Sequence, residues 1–461
     1  MDQSDRNLTN IDAPSAFRDR IASMDDDGKR KWVFPRKPSG RFYNARTWFS
    51  YLLLAIMFSG PFITINGRPF LLLNILERKF IILGMAFWPQ DSFIFVLATL
   101  TFVVGILLFT VIFGRLFCGW ACPQTIFLEM VFRKIEYLID GNANKQRKLK
   151  AQKWDAEKVF KRVSKHAIFW VLSFIIGNTF LAYIIGKNEL FEIITSPVSE
   201  HAGGFAIMVL FTTMFYYVYA SFREQVCTQI CPYGRLQSVL LDDKSIVVAY
   251  DFIRGEKRGR PKKNSTEELG DCIDCNQCVE VCPTGIDIRN GTQLECVNCT
   301  ACIDACDTVM DKVKRPRGLI RYDSFTGIRT GEKLSLNFRN IGYSAVLIVL
   351  VFFFFVLLVT RSDVESTILR SYGTMYQDVG NNHFTNLYTV KVLNKTFDDL
   401  PIRFELLEPE GTLTMVGGDL KIKGQDKTEG AFFVDLSGAL LDGTETKLKI
   451  TVHSGDRLLE T

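Results

Sequence analysis

Long apolar runs, separated by basic and polar stretches, recur along the chain up to about residue 360. Each run has the length of a membrane-spanning helix, which needs about 20 apolar residues. The segment after the first run is also apolar but is interrupted by Glu77, Arg78 and Lys79. Three charges in mid-bilayer would be costly, so this segment is predicted to be interfacial or re-entrant rather than a crossing. The five predicted spans cover about residues 48–65, 92–113, 167–185, 205–222 and 341–360.

The pattern changes after Arg361 to an alternation of apolar and polar residues. Four such segments, TNLYTVKVLN, PIRFELLEP, GAFFVDLSG and TKLKITVHSG, are separated by Gly, Pro, Asn and Asp. Alternation with period two is typical of strands that have one buried face. Residues 362–461 are therefore predicted to form a small, all-β, immunoglobulin-like sandwich.

Composition supports a membrane protein with soluble parts. The 461 residues are 48% hydrophobic and include 38 Phe, and the net charge is +5. Residues 1–46 and 115–165 are rich in Lys and Arg, whereas residues 361–461 contain more acids than bases. In a membrane protein this asymmetry indicates topology and not nucleic-acid binding, and the positive-inside rule puts the basic segments in the cytoplasm.

These patterns divide the chain into five segments. Five crossings would put the N-terminus inside and the C-terminus outside. The predicted fold is a multidomain membrane protein: an α-helical transmembrane bundle with an inserted α+β domain and a C-terminal β-sandwich. The segments are a basic cytoplasmic tail (1–46), a membrane domain with four spans (47–231), a cytoplasmic domain (232–338), a fifth transmembrane helix (339–361) and an external, periplasmic sandwich (362–461).

The inserted domain contains two consecutive runs of C-x2-C-x2-C-x3-C. This is the ligand pattern of a bacterial ferredoxin with two [4Fe-4S] clusters, in which each cube takes three cysteines from one run and the fourth from the other. A zinc ribbon would need only two C-x2-C pairs and would leave four thiols unused. The predicted ligands are Cys272, Cys275, Cys278 and Cys306 for one cluster, and Cys296, Cys299, Cys302 and Cys282 for the other.

The remaining four cysteines form two C-x3-C-P motifs, at the ends of the second and fourth spans. A single membrane-buried cysteine is usually a small packing residue, but two motifs in matching positions favour a function. Thiolates suit soft ions, Cu(I) above all, and two thiols can also carry electrons as a dithiol/disulfide pair. The candidate catalytic and copper-binding residues are Cys118, Cys122, Cys227 and Cys231.

Other polar residues near the predicted spans are weaker candidates. The topology puts His166 and His201 on opposite faces of the membrane, so they are predicted to be interfacial and not to hold a haem together. Arginines near the two motifs would either stabilise thiolates or anchor lipid headgroups, and both readings stay open. These arginines are Arg115, Arg133, Arg223 and Arg235.

The order of these features resembles one family, the cytochrome c oxidase accessory proteins CcoG, also called FixG or RdxA. The resemblance rests on the basic tail, the segment LNILERKF…FWPQD, the motifs CGWACPQT and CPYGRLQS, the double-cluster region, the last span and the β-domain. It implies a multi-pass protein of the bacterial inner membrane that reduces Cu(II) to Cu(I) for assembly of cbb3-type cytochrome c oxidase. The implied partners are oxidase subunits or copper chaperones, and a cytoplasmic electron donor.

Two other functions stay open at this point. The C-x3-C-P motifs also resemble those of NapH- and NosR-like membrane ferredoxins, which would make the chain an electron-transfer subunit linked to quinone. Alternatively, the clusters are structural, and the chain is a non-catalytic assembly scaffold whose external domain binds oxidase subunits. Copper stoichiometry and membership of a homo-oligomer are also open.

Overall fold

The structure is a computed structural model and describes residues 22–24, 27, 29–65, 68–75, 79–82, 84–260, 268–332, 338–371, 373, 376–418, 420–441, 445–455 and 457–460. The chain forms two compact units. One contains residues 1–62 and 99–350, and the other contains residues 63–98 and 351–461. Residues 63–98, which were predicted as part of the membrane domain, therefore fold with the C-terminal part of the chain.

Helices dominate the chain up to residue 359. Three stretches within this part are π-helical, at Phe127–Phe132, Val218–Phe222 and Val226–Ile230. The α-helices are α1 (Arg41–Ser59), α2 (Ser92–Phe113), α3 (Leu116–Trp120), α4 (Pro123–Ile126), α5 (Arg133–Ile139), α6 (Ala143–Ala151), α7 (Ala156–Ile185), α8 (Lys187–Thr195), α9 (Ala202–Tyr217), α10 (Pro232–Leu240), α11 (Phe252–Gly255), α12 (Gln277–Glu280), α13 (Ala301–Lys312), α14 (Phe325–Thr330) and α15 (Phe338–Val359).

Four helices among the described residues are long and apolar enough to cross a membrane. They are α2, α7, α9 with its π-helical extension to Phe222, and α15. Most of their side chains are not buried by protein, as expected of helices that face lipid. These helices match four of the five predicted spans, although α7 begins at Ala156 and so includes a basic first part that was predicted to belong to the cytoplasmic connection between spans.

The predicted first span, residues 48–65, was wrong at both ends. The corresponding helix, α1, begins seven residues earlier and ends six residues earlier. It begins early because the carboxylate of Asp304 accepts hydrogen bonds from the backbone N–H groups of Phe42 (3.2 Å) and Tyr43 (2.7 Å). A partner so distant in sequence cannot be read from the local pattern, and it satisfies donors that every helix start leaves free.

The other end of α1 reaches the far end of α7. The Tyr183 hydroxyl donates a hydrogen bond to the carbonyl of Met57 (2.7 Å). At 1.5 Å per residue, the 19 residues of α1 span about 28 Å, close to the hydrocarbon thickness of a bilayer. α1 is therefore a fifth long helix of the bundle, although it carries the basic residues Arg41 and Arg46 near its start.

The inserted domain combines helices with a two-stranded sheet. Strands β6 (Val247–Tyr250) and β7 (Ile320–Asp323) pair antiparallel, with Val247 opposite Asp323. Their buried side chains join those of α12 and α13 and the cysteine loops in one hydrophobic core. The predicted α+β character of this domain is confirmed.

The C-terminal unit begins with a small sheet in the segment predicted to be interfacial. Strands β3 (Leu71–Asn74), β4 (Lys79–Ile82) and β5 (Met85–Phe87) form an antiparallel meander. Gly84, with φ of +78°, lies in the turn between β4 and β5. Glu77 and Arg78, on which that prediction depended, lie outside the described residues. A short hairpin of β1 (Thr64–Ile65) and β2 (Arg68–Pro69) precedes this sheet.

The β-sandwich predicted at the C-terminus is confirmed. One sheet has the strand order β12-β14-β10-β8 with β9 also paired to β10, and the other has the order β13-β11-β15-β16. Alternating residues such as Phe432 and Val434 point into a common core, as period-two patterning requires. The strands are β8 (Val364–Arg370), β9 (Gln377–Gly380), β10 (His383–Asn394), β11 (Leu400–Glu408), β12 (Gly411–Met415), β13 (Leu420–Ile422), β14 (Lys427–Ser437), β15 (Lys449–Ser454) and β16 (Arg457–Glu460).

Candidate functional site

The two cysteine runs share one backbone conformation. In the first run Asp274 and Asn276 have positive φ, on either side of the second cysteine. In the second run Asn298 and Thr300 occupy the same two positions and also have positive φ. Asn and Asp tolerate this left-handed region better than most residues. The repeated left-handed steps coil each loop, so that its first three thiols surround one point.

The fold brings the eight thiols together as two sets of four. One small cavity is lined by Cys272, Cys275, Cys278 and Cys306, and its other walls include Tyr250, Met310 and Leu319. The second is lined by Cys282, Cys296, Cys299 and Cys302, together with Cys278 and residues such as Val248 and Ile286. Each set takes three cysteines from one run and the fourth from the other, as the spacing predicts.

The geometry and surroundings of these thiols fit [4Fe-4S] clusters. All twelve cysteines of the chain are free. Among the described residues, no three Cys, His, Asp or Glu side chains converge on a single metal ion, as a zinc ribbon would require. Burial raises the pKa of Cys296 and Cys306 to about 12, so these thiols are neutral until a metal displaces their protons. The individual ligand assignments stay a prediction.

The two C-x3-C-P motifs also repeat one backbone conformation. A residue with positive φ lies four positions before the first cysteine of each pair: Gly114 (φ 56°) and Arg223 (φ 54°). The second cysteine of each pair is extended and caps a helix that begins with proline. Cys122 has φ, ψ of −62°, 124°, and Cys231 has −69°, 112°. Proline forces this, because the residue before it avoids helical geometry.

The four thiols of these motifs lie near one another, at the ends of α2 and of the α9 extension. Burial raises the pKa of Cys118 to about 11 against the lowering effect of Arg115, and the nearby thiols of Cys122 and Cys231 contribute to the rise. Burial likewise raises the pKa of Cys227 to about 12, with contributions from Cys122 and Cys118. The Cys118 thiol donates a hydrogen bond to the side-chain oxygen of Gln237 (3.1 Å). As placed, they offer paired thiols and no ready three-ligand metal site.

The helix that carries Cys118 packs directly on the second cysteine loop. Gly119 lies so close to this loop that a Cβ atom there would come within 2.8 Å of the Asn298 carbonyl oxygen, and closer still to that of Val297. Both carbonyls lie between Cys296 and Cys299. This contact was not predicted from the sequence, although the glycine within C-G-W-A-C was a signal of close backbone approach.

Two aromatic side chains and one arginine reinforce this contact. The Trp120 indole N–H donates to the Tyr322 hydroxyl (3.1 Å), which donates to the Asn298 carbonyl (3.1 Å). Arg115 donates to the Gln237 side-chain oxygen (3.2 Å) and to the carbonyls of Gly234 and Leu294. Arg115 is therefore buried and holds three segments together rather than anchoring a headgroup, and its charge also lowers the pKa of Cys118.

Arg223 and Arg133 belong to a buried network of ion pairs. Arg223 makes a bidentate contact with Glu136 (2.6 and 2.8 Å), and Arg133 pairs with Glu129 and with Glu224 (3.6 Å). Burial alone would raise the pKa of Glu136, but Arg223 and then Lys165 lower it to about 2. These arginines are therefore buried and stabilise the protein interior, so of the two readings left open for them headgroup anchoring does not hold.

The histidines do not form a shared site. His166 lies near the start of α7, where its Nδ1 is hydrogen-bonded to the Tyr216 hydroxyl (2.9 Å). His201 immediately precedes α9, at the opposite end of that helix from Tyr216.

Comparison with known proteins identifies three matching sequence families. A 4Fe-4S dicluster domain matches residues 222–325, a 4Fe-4S binding domain matches residues 95–144, and the IG-like fold at the C-terminal of FixG matches residues 354–461. The second match covers Cys118 and Cys122 and none of the ferredoxin-type cysteines.

Relatives and one solved structure are also similar to this chain. RdxB of Cereibacter sphaeroides is 33% identical over 80% of this chain and 80% of its own length. RdxA of the same organism is 38% identical over 63% of this chain and 62% of its own length. The nitrogen fixation protein FixG of Rhizobium meliloti is 36% identical over 64% of this chain and 57% of its own length. The matches to RdxA and FixG thus span less than two thirds of those proteins.

A FixG-related protein from Vibrio parahaemolyticus, known from a crystal structure, matches 22% of this chain and 94% of that chain, with 14% identity and a TM-score of 0.18. That likeness is too weak to inform function. The RdxB match and the C-terminal domain show that this chain is related to FixG and RdxA. The match to a 4Fe-4S dicluster domain shows that its chemistry is that of iron-sulfur clusters. The chain belongs to the FixG/RdxA family and is an iron-sulfur electron-transfer protein.

Proposed function

We propose that this protein is a cupric reductase, which converts Cu(II) to Cu(I) for assembly of cbb3-type cytochrome c oxidase. The observation that carries the proposal is the packing of Gly119, between Cys118 and Cys122, against the loop between Cys296 and Cys299. This contact puts a cluster-binding loop beside thiols that suit copper. Thiolates are soft ligands that prefer Cu(I), so reduction and capture of copper favour each other.

The bound [4Fe-4S] clusters would supply one-electron carriers, held by the two sets of four cysteines. The protein itself keeps the second cysteine loop close to α3, which carries Cys118. No side chain stands between α3 and the loop at Gly119, and Trp120 and Tyr322 fix the loop by hydrogen bonds. Each Cu(II) substrate gains one electron, which a cytoplasmic reductant must replace. Copper binding would displace the thiol protons of Cys118 and Cys227.

The proposed topology puts the N-terminal segment and the cysteine-rich domain in the cytoplasm and the β-sandwich in the periplasm. Among the described residues, four helices are long and apolar enough to cross a membrane, and α1 would have to be the fifth crossing to give the odd number that this topology requires. The basic residues of 115–165 favour the cytoplasm for their side. Oxidase subunits or a copper chaperone would receive the Cu(I).

The test compares the wild type with Cys118→Ser/Cys122→Ser. Full-length protein is purified without oxygen, loaded with clusters and reduced, and Cu(II) is added with a Cu(I)-specific chelator. We expect Cu(I) formation to slow at least about tenfold in the variant, as loss of metal contacts typically does. Iron content and reoxidation by ferricyanide, which does not need a thiol site, serve as controls and should not change. An unchanged rate of Cu(I) formation would rule the proposal out.

A further inference from the structure

A cavity of about 420 Å³ lies beside the membrane-spanning helices, apart from the cysteines. Its walls come from the first turns of α7, from the last turn of α9 and its extension, and from the N-terminal segment at Trp32 and Phe34. Nothing in the electron path described above uses this cavity. The cavity lies where basic residues give way to the apolar part of α7 and at the end of the candidate span formed by α9 and its extension, the level at which lipid headgroups would lie in a bilayer.

The charges that line the cavity do not balance. Two of its four cations are neutralised: Arg223 is paired with Glu136 (2.6 Å) and Lys165 with Asp140 (2.6 Å). Lys150 and Arg162 also line it, and within the described part of the chain neither has a carboxylate in ion-pair distance. The lining therefore has two more cations than carboxylates, which favours an anionic ligand over a neutral one.

The remaining walls suit an amphipathic ligand. Trp32, Phe169 and Tyr216 supply aromatic surface, and Tyr and Trp are the side chains enriched at membrane interfaces. The hydrogen-bonded pair of Tyr216 and His166 (2.9 Å) adds polar groups to the same wall. Lys150 lies 5.9 Å from the centre of the Trp32 ring. A charged group could thus be bound beside apolar surface.

We propose that this cavity binds a phosphate group, supplied by the headgroup of an anionic phospholipid. Arg162 and Lys150 would pair with the phosphate, and the aromatic walls would contact the glycerol and the first part of the acyl chains. Basic pockets between transmembrane helices recognise anionic lipids in this way. Because Trp32 belongs to the N-terminal segment and Phe169 to α7, a bound lipid would tie the two together.

The chain offers a matched test. The variant Lys150→Gln/Arg162→Gln removes the two unpaired cations from the cavity. The control, Lys148→Gln/Lys161→Gln, removes two cations from the same helices, α6 and α7, outside the cavity lining. Lys148 is exposed like Lys150, and Lys161 is half-buried like Arg162. Both variants lose two positive charges; the control also loses the exposed ion pair of Lys161 with Glu157 (2.5 Å), a kind of pair that contributes little to stability.

Full-length wild type and both variants are reconstituted in nanodiscs of phosphatidylglycerol or of phosphatidylcholine, and Tm is measured. We expect phosphatidylglycerol to raise Tm in the wild type and the control, and the cavity variant to lose most of that rise, since a ligand stabilises the state that it binds. Native mass spectrometry should find one anionic phospholipid retained by the wild type and the control only.

A third arm distinguishes the source of the phosphate. Inorganic phosphate is added to protein in phosphatidylcholine nanodiscs. If it raises Tm as much as phosphatidylglycerol does, and only with the cavity intact, the ligand is a free anion and not a lipid. The proposal fails if the two lipids give the same Tm and phosphate adds nothing, or if the control variant loses as much of the rise as the cavity variant.

Discussion

At the scale of single residues, Glu136 is a buried carboxylate that two cations contact. Its carboxylate binds Arg223 bidentately, and Lys165 lies 3.8 Å away. The side chain is almost completely buried. Removing one partner of a buried ion pair leaves the others charged and without water, which costs far more than the loss of an exposed pair.

We therefore predict that Glu136→Gln lowers the free energy of unfolding by about 3–5 kcal/mol. The control is Glu157→Gln, which removes an exposed partner of Lys161 on α7 and should cost less than about 1 kcal/mol. Thermal unfolding of the full-length protein in detergent measures both. Equal losses in the two variants would contradict a special role for Glu136.

The ion pair of Glu136 with Arg223 also makes the stability of the protein depend on pH. The pKa of Glu136 is about 2 in the folded protein against an ordinary value of 4.5. The carboxylate therefore stabilises the fold fully above about pH 4.5, and this contribution is lost as the pH falls toward 2. The advantage of the wild type over Glu136→Gln, measured by thermal unfolding, should be nearly equal at pH 7 and pH 5 and should shrink as the pH is lowered from about 4.5 toward 2. An advantage that stays constant down to the lowest pH would contradict this assignment.

A residue could be recognised from the sequence when the pattern that marks it lies within one short segment. The eight cysteines predicted to hold the clusters stand out in the sequence because their spacing is itself the signal. Glu136 was not identified, because Gln124 to Ile139 has an amphipathic pattern that is typical of an interfacial helix. Its partner Arg223 comes from another helix, and no local pattern says which polar residue will be buried with which.

At the scale of elements, the packing of α3 on the second cysteine loop is the contact that the proposed function needs. Gly119 is required there, because any side chain would collide with backbone oxygens that cannot move aside. α3 is only five residues long and is followed by the extended Cys122, so it can shift as a unit. A small change at Gly119 would therefore separate the two groups of cysteines.

We predict that Gly119→Ala slows Cu(I) formation while cluster content stays normal, and that it lowers stability by about 1–3 kcal/mol through overpacking. The control is Gly342→Ala in α15, where a Cβ atom would meet nothing within 4 Å. Iron content, Tm and the rate of Cu(I) formation are measured for both. Normal copper reduction by Gly119→Ala would show that the contact is not on the electron path.

Elements were predictable where their signal lies within them. The long apolar runs of α2, α9 and α15 gave helices near the expected bounds, and the alternating segments gave strands. The sheet β3–β5 was not predicted, because its strands are three or four residues long and its apolar residues are continuous and do not alternate. The start of α1 was missed because its cap, Asp304, is supplied from a helix over 250 residues away.

At the scale of the whole molecule, the cysteines and the β-sandwich lie in different units. All twelve cysteines lie in the unit formed by residues 1–62 and 99–350, and the other unit has none. The second unit has its own hydrophobic core and its own buried ion pairs, of Asp91 with Lys395 (2.7 Å) and Arg361 (2.8 Å). Burial alone would raise the pKa of Asp91, but Lys395 and Arg361 lower it. The stability of this second unit should therefore not depend on iron.

We predict that removal of iron from the full-length protein abolishes the unfolding transition of the cysteine-rich domain and leaves that of the β-sandwich unchanged. The sandwich transition is identified by Phe432→Ala, because Phe432 is fully buried between the sheets and its truncation should cost about 3–5 kcal/mol. Its neighbour Phe433 is 40% exposed, so Phe433→Ala should shift the same transition much less. Calorimetry of both variants, with and without chelation of iron, makes the comparison. If chelation shifts the transition that Phe432→Ala lowers, the sandwich depends on the cysteine-rich domain, and the two units are not independent in stability.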